Sequence, residues 1–152
     1  TIGADYKGFD FQIFFQGAAN YEIFQGLRRL DIANANYQTD VLSRWTGPGT
    51  SNDYPRLTNT DTNGNFTNAS DFYLEDGSYV RLKLITLGYS LPTQAVSKIG
   101  ANKVRVYVTT ENLLTLTKYT GYDPEIGGGI SGIDRGFYPQ AKGFLFGANI
   151  QF

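Results

Sequence analysis

The side chains with the clearest chemical potential in this sequence lie in one turn-rich stretch. Trp45 and Tyr54 could stack their rings on sugar faces, and Asp53 and Arg56 could bond the hydroxyl groups. The same residues could instead form the small core that a long ordered loop needs, with Arg56 paired to an acidic neighbour. The pattern favours this self-packing, and the four residues remain the candidate substrate-binding set.

A second polar stretch resembles the start of a calcium-binding loop without completing it. Asp61, Asn63 and Asn65 place oxygen ligands at alternate positions. Phe66 and Phe72 then stand where such a loop needs Gly and Glu. We therefore expect a solvated turn here and no metal site.

Catalytic chemistry has little support elsewhere in the chain. Asp123 and Glu125 are near each other, but no cleft or partner is implied around them. The sequence contains neither Cys nor His, which removes thiol nucleophiles, Ser-His-Asp triads and the usual zinc sites. We expect no catalytic residue, no cofactor and no enzymatic activity.

Composition narrows the class of protein. The chain has 152 residues, a formal net charge of -1 and 18 glycines, with 11 Tyr and 11 Phe. This charge argues against a nucleic-acid partner, which would require a basic surface. Abundant glycine and aromatic residues fit an all-β protein with many turns. The sequence has no apolar run near the roughly 20 residues of a helical membrane span.

Period-two alternation predicts five strands. The first two form a hairpin, with residues 2–6 and 9–16 joined by a tight turn at Lys7-Gly8. The third spans 78–91 and changes phase, which predicts a bulge near Leu84. The fourth runs from 104 to about 118, after a short connection that includes a helical turn, and the fifth covers 137–152.

The last of these strands has two contrasting faces. One face is wholly apolar and is predicted to contact lipid, and its members are Phe144, Phe146, Ala148, Ile150 and Phe152. The opposite face carries small and polar residues, with Leu145 as the exception. A strand of this length can cross a bilayer when tilted.

The connections are asymmetric. Two long loops, predicted at 17–77 and 119–136, alternate with two short turns, so the long loops leave one end of the sheet and the turns the other. Bacterial outer-membrane barrels have this asymmetry, with the long loops outside the cell. Because about eight strands is the minimum for such a barrel, we expect the chain to be part of a larger one.

Several segments together resemble one family. The stretch Ser78–Pro92 (SYVRLKLITLGYSLP) is similar to a strand of the SusC-like TonB-dependent outer-membrane transporters, although Leu84 stands where that family usually has Asn. Residues 104–125, the segment 132–139 and the terminal strand resemble the rest of the family's ending, and residues 44–45 and 53–56 resemble its late extracellular loop.

The resemblance implies a fold, a location and partners. It implies that residues 1–152 are the C-terminal portion of an antiparallel transmembrane β-barrel of about 22 strands, with the plug and earlier strands outside this chain. It also implies TonB-dependent import of oligosaccharides or peptides across the outer membrane of a Gram-negative bacterium, together with a SusD-like surface lipoprotein. TonB would act through the N-terminal part.

The chain terminus suggests one further role. Gly147, Ile150 and Phe152 resemble the signal that the barrel-assembly machinery reads, since an exposed strand edge can pair with another sheet. Packing against lipid is the simpler reading, and the two are compatible. The alternative to a transporter is a soluble β-sandwich that binds carbohydrate through its aromatic loops.

Overall fold

The computed structural model describes residues 1–32, 34–127 and 131–152, with backbone only for residues 126 and 127. Eight strands and two short helices lie in these ranges: β1 (Ile2–Tyr6), β2 (Phe9–Ala18), β3 (Glu22–Gln25), β4 (Leu74–Asp76), β5 (Tyr79–Ser90), α1 (Thr93–Val96), β6 (Lys103–Thr117), α2 (Pro124–Gly127), β7 (Ile133–Asp134) and β8 (Gly143–Gln151). Turns of 3-10 helix cover Thr39–Ser43, Asp71–Tyr73 and Ser97–Ile99. The fold is therefore all-β.

The chain divides into two compact units. The strand unit contains residues Thr1–Ala19, Ser78–Lys118 and Gln140–Phe152. The loop unit contains Asn20–Gly77 and Tyr119–Pro139. Part of the predicted loop 119–136, residues 128–130, lies outside the described residues.

The strand unit is one antiparallel sheet in the order β1-β2-β5-β6-β8. The predicted hairpin is confirmed, and its turn has φ of 47° at Lys7 and 87° at Gly8. Left-handed angles at both central residues define the tight turn whose twist matches antiparallel strands. The predicted helical turn between the third and fourth strands is confirmed as α1, whose Val96 packs with Ala101 and Val104.

The predicted bulge is also confirmed. The pairing of β5 with β6 shifts between Leu82 and Leu84, and the pairing of β2 with β5 shifts at the same level. Val80 and Leu82 consequently share a face with Ile85 in spite of their opposite parity. Leu84 takes the other face, next to Glu111.

The fifth predicted strand was too long at its start. The sequence suggested 137–152, whereas β8 begins at Gly143. Asn112 has a left-handed φ of 50° just beyond the Glu111–Gly143 pair, so β6 turns away from the ladder there. The preceding segment is held by side chains: Lys83 Nζ donates to Gln140 Oε1 at 2.8 Å, and Asn112 Nδ2 donates to the Ala141 carbonyl at 3.0 Å.

The loop unit contains a second sheet that the sequence did not predict. It has three strands in the order β4-β3-β7, and β3 pairs with β7 in parallel. The unit has its own core, in which Ile23, Leu30, Phe66 and Tyr73 are buried. The long connection is therefore a folded element with a sheet, and not a simple loop.

Candidate functional site

One face of the strand unit is a continuous apolar surface. Directly paired residues on neighbouring strands share a face, so the register carries this surface across all five strands. Its members are Ile2, Ala4, Tyr6, Phe9, Phe11, Ile13, Ile85, Leu87, Tyr89, Val104, Val106, Val108, Phe144, Phe146, Ala148 and Ile150. We call it the apolar face. Phe146 is 83% exposed, and most of the other large side chains on this face are also exposed.

The opposite face of the same sheet is polar. Arg105 on β6 forms an ion pair with Asp10 on β2, and Thr86 and Thr109 share a hydrogen bond of 3.0 Å. Arg81 is almost completely buried and donates from Nε to Thr115 Oγ1 at 2.8 Å. A sheet that is apolar on one side and hydrogen-bonded on the other separates two different environments.

Side chains of the terminal strand, β8, contribute to both faces of the sheet. Phe144, Phe146 and Ile150 contribute to the apolar face, opposite Thr110, Val108 and Val104 of β6. On the polar face Gly147 lies opposite Tyr107, and a Cβ atom at position 147 would overlap the tyrosine ring. Any residue larger than glycine at 147 would therefore displace Tyr107.

The end of the chain is exposed. The Asn102 amide donates to the Gln151 carbonyl at 2.7 Å, which is the last main-chain bond of the sheet on this side. Phe152 follows β8 and is 80% exposed.

The four candidate substrate-binding residues line one groove of the loop unit. This groove has a volume of about 710 Å³ and includes Trp45, Asp53, Tyr54 and Arg56. Asparagine side chains at 52, 63 and 65 add amide groups to its wall. We call it the aromatic groove. It combines ring faces with hydrogen-bonding groups in a space large enough for a small oligomer.

Within the aromatic groove, Tyr54 is held by several contacts. Its hydroxyl donates to Asp40 Oδ2 at 3.1 Å, and its carbonyl accepts from the Trp45 amide at 2.9 Å. Its ring packs edge-on against Phe72 at 5.3 Å, with the Arg28 guanidinium 5.6 Å from its centre. Burial raises the pKa of Tyr54 to about 12, against the effect of the Arg28 cation and with that of the Asp40 carboxylate. Tyr54 is thus part of the scaffold.

The other three residues are more exposed. Trp45 is 38% exposed, and Asp53 and Arg56 are exposed. In the described part of the chain, Arg56 forms no ion pair, so the acidic neighbour that the self-packing interpretation expects is not seen there. The packing of Tyr54 fits the self-packing interpretation, whereas the side chains of Trp45, Asp53 and Arg56 remain accessible to a ligand.

The Asp61 segment is a capped turn. Asp61 Oδ1 accepts from the Asn65 amide at 2.8 Å, and Oδ2 accepts from the amides of Phe66 and Thr67, each at 2.9 Å. Both carboxylate oxygens of Asp61 therefore accept hydrogen bonds from within the turn. Asp123 behaves similarly, because its Oδ1 accepts from the Glu125 amide at 2.9 Å. Across the described residues, no group of three or more His, Cys, Asp or Glu side chains could hold a metal ion.

Sequence reasoning missed a second concave site in the loop unit. A cavity of about 270 Å³ is lined by two arginines, Arg29 and Arg135, and by the aromatic rings of Phe24, Phe66 and Tyr73. We call it the arginine cavity. The parallel pairing of β3 with β7 creates it, and that pairing joins residues too far apart for a local pattern to reveal.

Buried polar contacts fix the strands that form this cavity. The Tyr119 hydroxyl donates to Asp134 Oδ2 at 2.5 Å, and the Gly136 amide donates to Asp134 Oδ1 at 2.8 Å. Burial raises the pKa of Tyr119, and the hydrogen bond to the Asp134 carboxylate raises it further. Elsewhere in the loop unit, Arg28 and Glu75 form a partly buried ion pair.

In the portion of the chain that the structure describes, no helix has the length and apolarity needed to cross a membrane. No protein-family model matches the chain.

Individual relatives are nevertheless similar over nearly the whole chain. TonB-dependent receptor P3 of Formosa agariphila is 36% identical over 97% of this chain. TonB-dependent receptor SusC of Bacteroides thetaiotaomicron is 33% identical over 100% of it. These matches cover 15% and 14% of the two receptors, so the chain spans only about a seventh of their length.

A solved structure gives the same result for the fold. The RagAB peptide importer in its open-open state superposes with a TM-score of 0.77 at 28% identity, over 99% of this chain and 16% of that one. These similarities do not favour the alternative of a soluble carbohydrate-binding module. The chain therefore belongs to the SusC-like TonB-dependent receptors, and it fits the C-terminal part of such a transporter.

Proposed function

We propose that this chain forms part of the wall and two extracellular loops of a nutrient importer in the outer membrane of a Gram-negative bacterium. The observation that carries this proposal is the two-sided sheet, with its exposed apolar face and its hydrogen-bonded polar face. In a transmembrane barrel the apolar face contacts lipid and the polar face lines the interior. The five strands would be the last of about 22.

The sheet edges support a larger barrel. β1 and β8 each have one neighbour within the described sheet. A strand edge that faces hydrocarbon leaves its amide and carbonyl groups without partners, at a cost of several kcal/mol per group. Pairing with further strands of the same barrel removes that cost. The segments 17–77 and 119–136 would then connect strands on the extracellular side.

The imported nutrient is an oligosaccharide or a peptide in this proposal. The aromatic groove supports such a ligand, because Trp45 offers a ring face while Asp53 and Arg56 offer charged hydrogen-bonding groups. Tyr54 contributes the fixed edge of the groove. The importer would pass its substrate without chemical change, so no catalytic residue is assigned.

The relatives support one of the proposed partners, and the sequence suggests two others. SusC and the RagAB importer support a surface lipoprotein of the SusD or RagB kind as the partner that delivers substrate. TonB would supply energy through the N-terminal part of the transporter. The barrel-assembly machinery would recognise the terminal strand through Gly147, Ile150 and Phe152.

Cysteine labelling of adjacent residues in the full-length protein tests the proposal. This chain has no cysteine, so it adds no background once cysteines elsewhere in the transporter are replaced. Ala148→Cys and Asn149→Cys lie next to each other on opposite faces of β8. In membranes, Asn149→Cys should react with a water-soluble maleimide and Ala148→Cys only with a lipid-soluble one.

Equal labelling of both variants by the water-soluble reagent would contradict a membrane wall. So would full-length protein that stays monodisperse without detergent, and these two results together would favour the soluble binding module. Nutrient uptake by cells that carry the unmodified gene, lost on its deletion, completes the test.

A further inference from the structure

Among the described residues that line it, the arginine cavity has two cations and no carboxylate. Arg29 and Arg135 contribute the charge, and Phe24, Phe66 and Tyr73 contribute apolar surface. Charged residues that line a half-enclosed cavity beside buried rings point to a ligand that carries the opposite charge.

The backbone holds the two arginines near one another. Phe24 pairs with Ile133 and Gln25 with Asp134, and the Gly26 amide donates to the Asp134 carbonyl at 2.9 Å. Arg135 follows directly after this pair, and Arg29 lies three residues beyond Gly26. The sheet of the loop unit therefore presets the cavity before any ligand arrives.

The floor of the cavity is rigid and apolar. Phe24 and Tyr73 stack with ring centres 4.8 Å apart and planes inclined by 19°. Phe66 and Tyr73 are nearly completely buried, and the Tyr73 hydroxyl donates to the Phe66 carbonyl at 2.8 Å. Because these rings already have their partners, the floor gives shape to the site while the arginines give it charge.

Arg29 already forms hydrogen bonds with Asp31 through part of its guanidinium group. Its Nε donates to Asp31 Oδ1 at 2.7 Å and its Nη2 to Asp31 Oδ2 at 2.6 Å. This leaves Nη1 available, and the side chain keeps 36% of its accessible surface. The arginine hydrogen bond lowers the pKa of Asp31, so the pair stays ionised. Neither Asp31 nor Asp61, which also acts on Arg29, lines the cavity.

The whole guanidinium group of Arg135 is available to a ligand. It is exposed, and within the described ranges its side chain takes part in no hydrogen bond, ion pair or ring contact. A planar guanidinium that is free to offer paired N–H groups matches the two oxygens of a carboxylate.

We propose that the arginine cavity binds a carboxylate group on one unit of the imported nutrient. Arg135 supplies the main contact and Arg29 a second donor, while the apolar body of the unit packs against Phe24. A cavity of about 270 Å³ holds a single sugar or amino-acid unit, so it binds one acidic group of a longer substrate. This inference rests on the proposed import function and adds the charge of the substrate to it.

The carboxylate can come from an acidic sugar or from a peptide, and paired probes separate these sources. The full-length transporter, purified with its lipoprotein, is titrated with a uronic-acid trisaccharide and its neutral hexose counterpart. A tripeptide with a free C-terminal carboxylate is compared with its amide. The carboxylate member of one pair should bind about tenfold more tightly than the neutral member.

Variants identify the cavity as the source of this preference. Arg135→Gln should remove the tenfold preference, and Arg135→Lys should keep part of it because the charge remains but the paired donors are lost. Lys98→Gln removes an exposed cation from the strand unit and serves as the matched control. The neutral probes should bind all four proteins equally.

Two results would overturn the proposal: the absence of a carboxylate preference in both pairs, or its persistence in Arg135→Gln. Equal weakening of the neutral and acidic probes in that variant counts as such persistence, since the ratio of their affinities would be unchanged. Normal uptake of neutral nutrients with no carboxylate preference would refute this inference alone. Absence of all uptake would refute the proposed function.

Discussion

Asp10 on β2 and Arg105 on β6 form an ion pair across the intervening strand β5. Arg105 Nε donates to Asp10 Oδ1 at 2.8 Å, and Nη2 contacts the other carboxylate oxygen. Gly88 of β5 lies between them, where a Cβ atom would overlap both charged groups. The absence of a side chain at 88 therefore permits a link between strands that are not neighbours.

Breaking this link should have a modest and measurable effect. We expect a double-mutant cycle with Asp10→Asn and Arg105→Gln to give a coupling of roughly 1 kcal/mol, because both side chains keep some contact with solvent. Denaturant titration of the refolded full-length barrel measures it. Gly88→Ala should abolish the coupling, and higher salt should reduce it. A coupling that survives Gly88→Ala would show that the pair does not depend on the space at residue 88.

The terminal aromatic residue should affect assembly more than transport. Phe152 is 80% exposed and follows the last strand, so its removal leaves the sheet contacts unchanged. We predict that Phe152→Ala or a short C-terminal extension lowers the amount of assembled barrel, with uptake per assembled molecule unchanged. Heat-modifiable mobility of the outer-membrane protein reports assembly. Gln151→Ala, on the neighbouring position, is the control, and a normal level of assembled Phe152→Ala would contradict the prediction.

The strand unit was predictable because its pattern is strictly local. Period-two alternation gave the hairpin and the middle strands, and the change of parity around Leu84 gave the bulge. The start of β8 was predicted too early because Asn112 on the partner strand ends the ladder. The residue that ends the pairing lies on another strand, so the sequence of residues 137–142 gives no sign of it.

The loop unit was predictable only in part. Trp45, Asp53, Tyr54 and Arg56 are close in sequence, and the structure brings them to one groove. The sheet of the same unit was missed because β3, β4 and β7 have four, three and two residues, too few to show a period. Arg29 and Arg135 come to the same cavity only through that sheet, so the arginine cavity was missed as well.

Two aromatic residues of the groove, Trp45 and Tyr54, should separate ligand binding from stability. Trp45→Ala should weaken binding of the transported nutrient and change stability by less than about 0.5 kcal/mol, since the Trp45 side chain is partly exposed. Tyr54→Ala removes the Asp40 hydrogen bond and the packing on Phe72, and should cost about 2 kcal/mol. Leu42→Ala, exposed and outside the groove, is the control for both. Equal loss of stability in the Trp45 and Tyr54 variants would indicate that the groove is only a packed loop.

Tyr54 should also give the loop unit a characteristic response to alkaline pH. Burial raises the pKa of Tyr54 to about 12 in the folded protein, above the value of about 10 for tyrosine in an unfolded chain. The folded state therefore favours the protonated hydroxyl, which can donate to Asp40. This contribution to stability is complete below about pH 10 and is lost as the pH rises towards 12.

Tyrosinate absorbance during a pH titration, taken as the difference between the native protein and Tyr54→Phe, should show a midpoint near pH 12 that moves to about 10 in denaturant. A native midpoint already at about 10 would mean that the Tyr54 hydroxyl is open to water, and that the groove edge it anchors is not formed in solution.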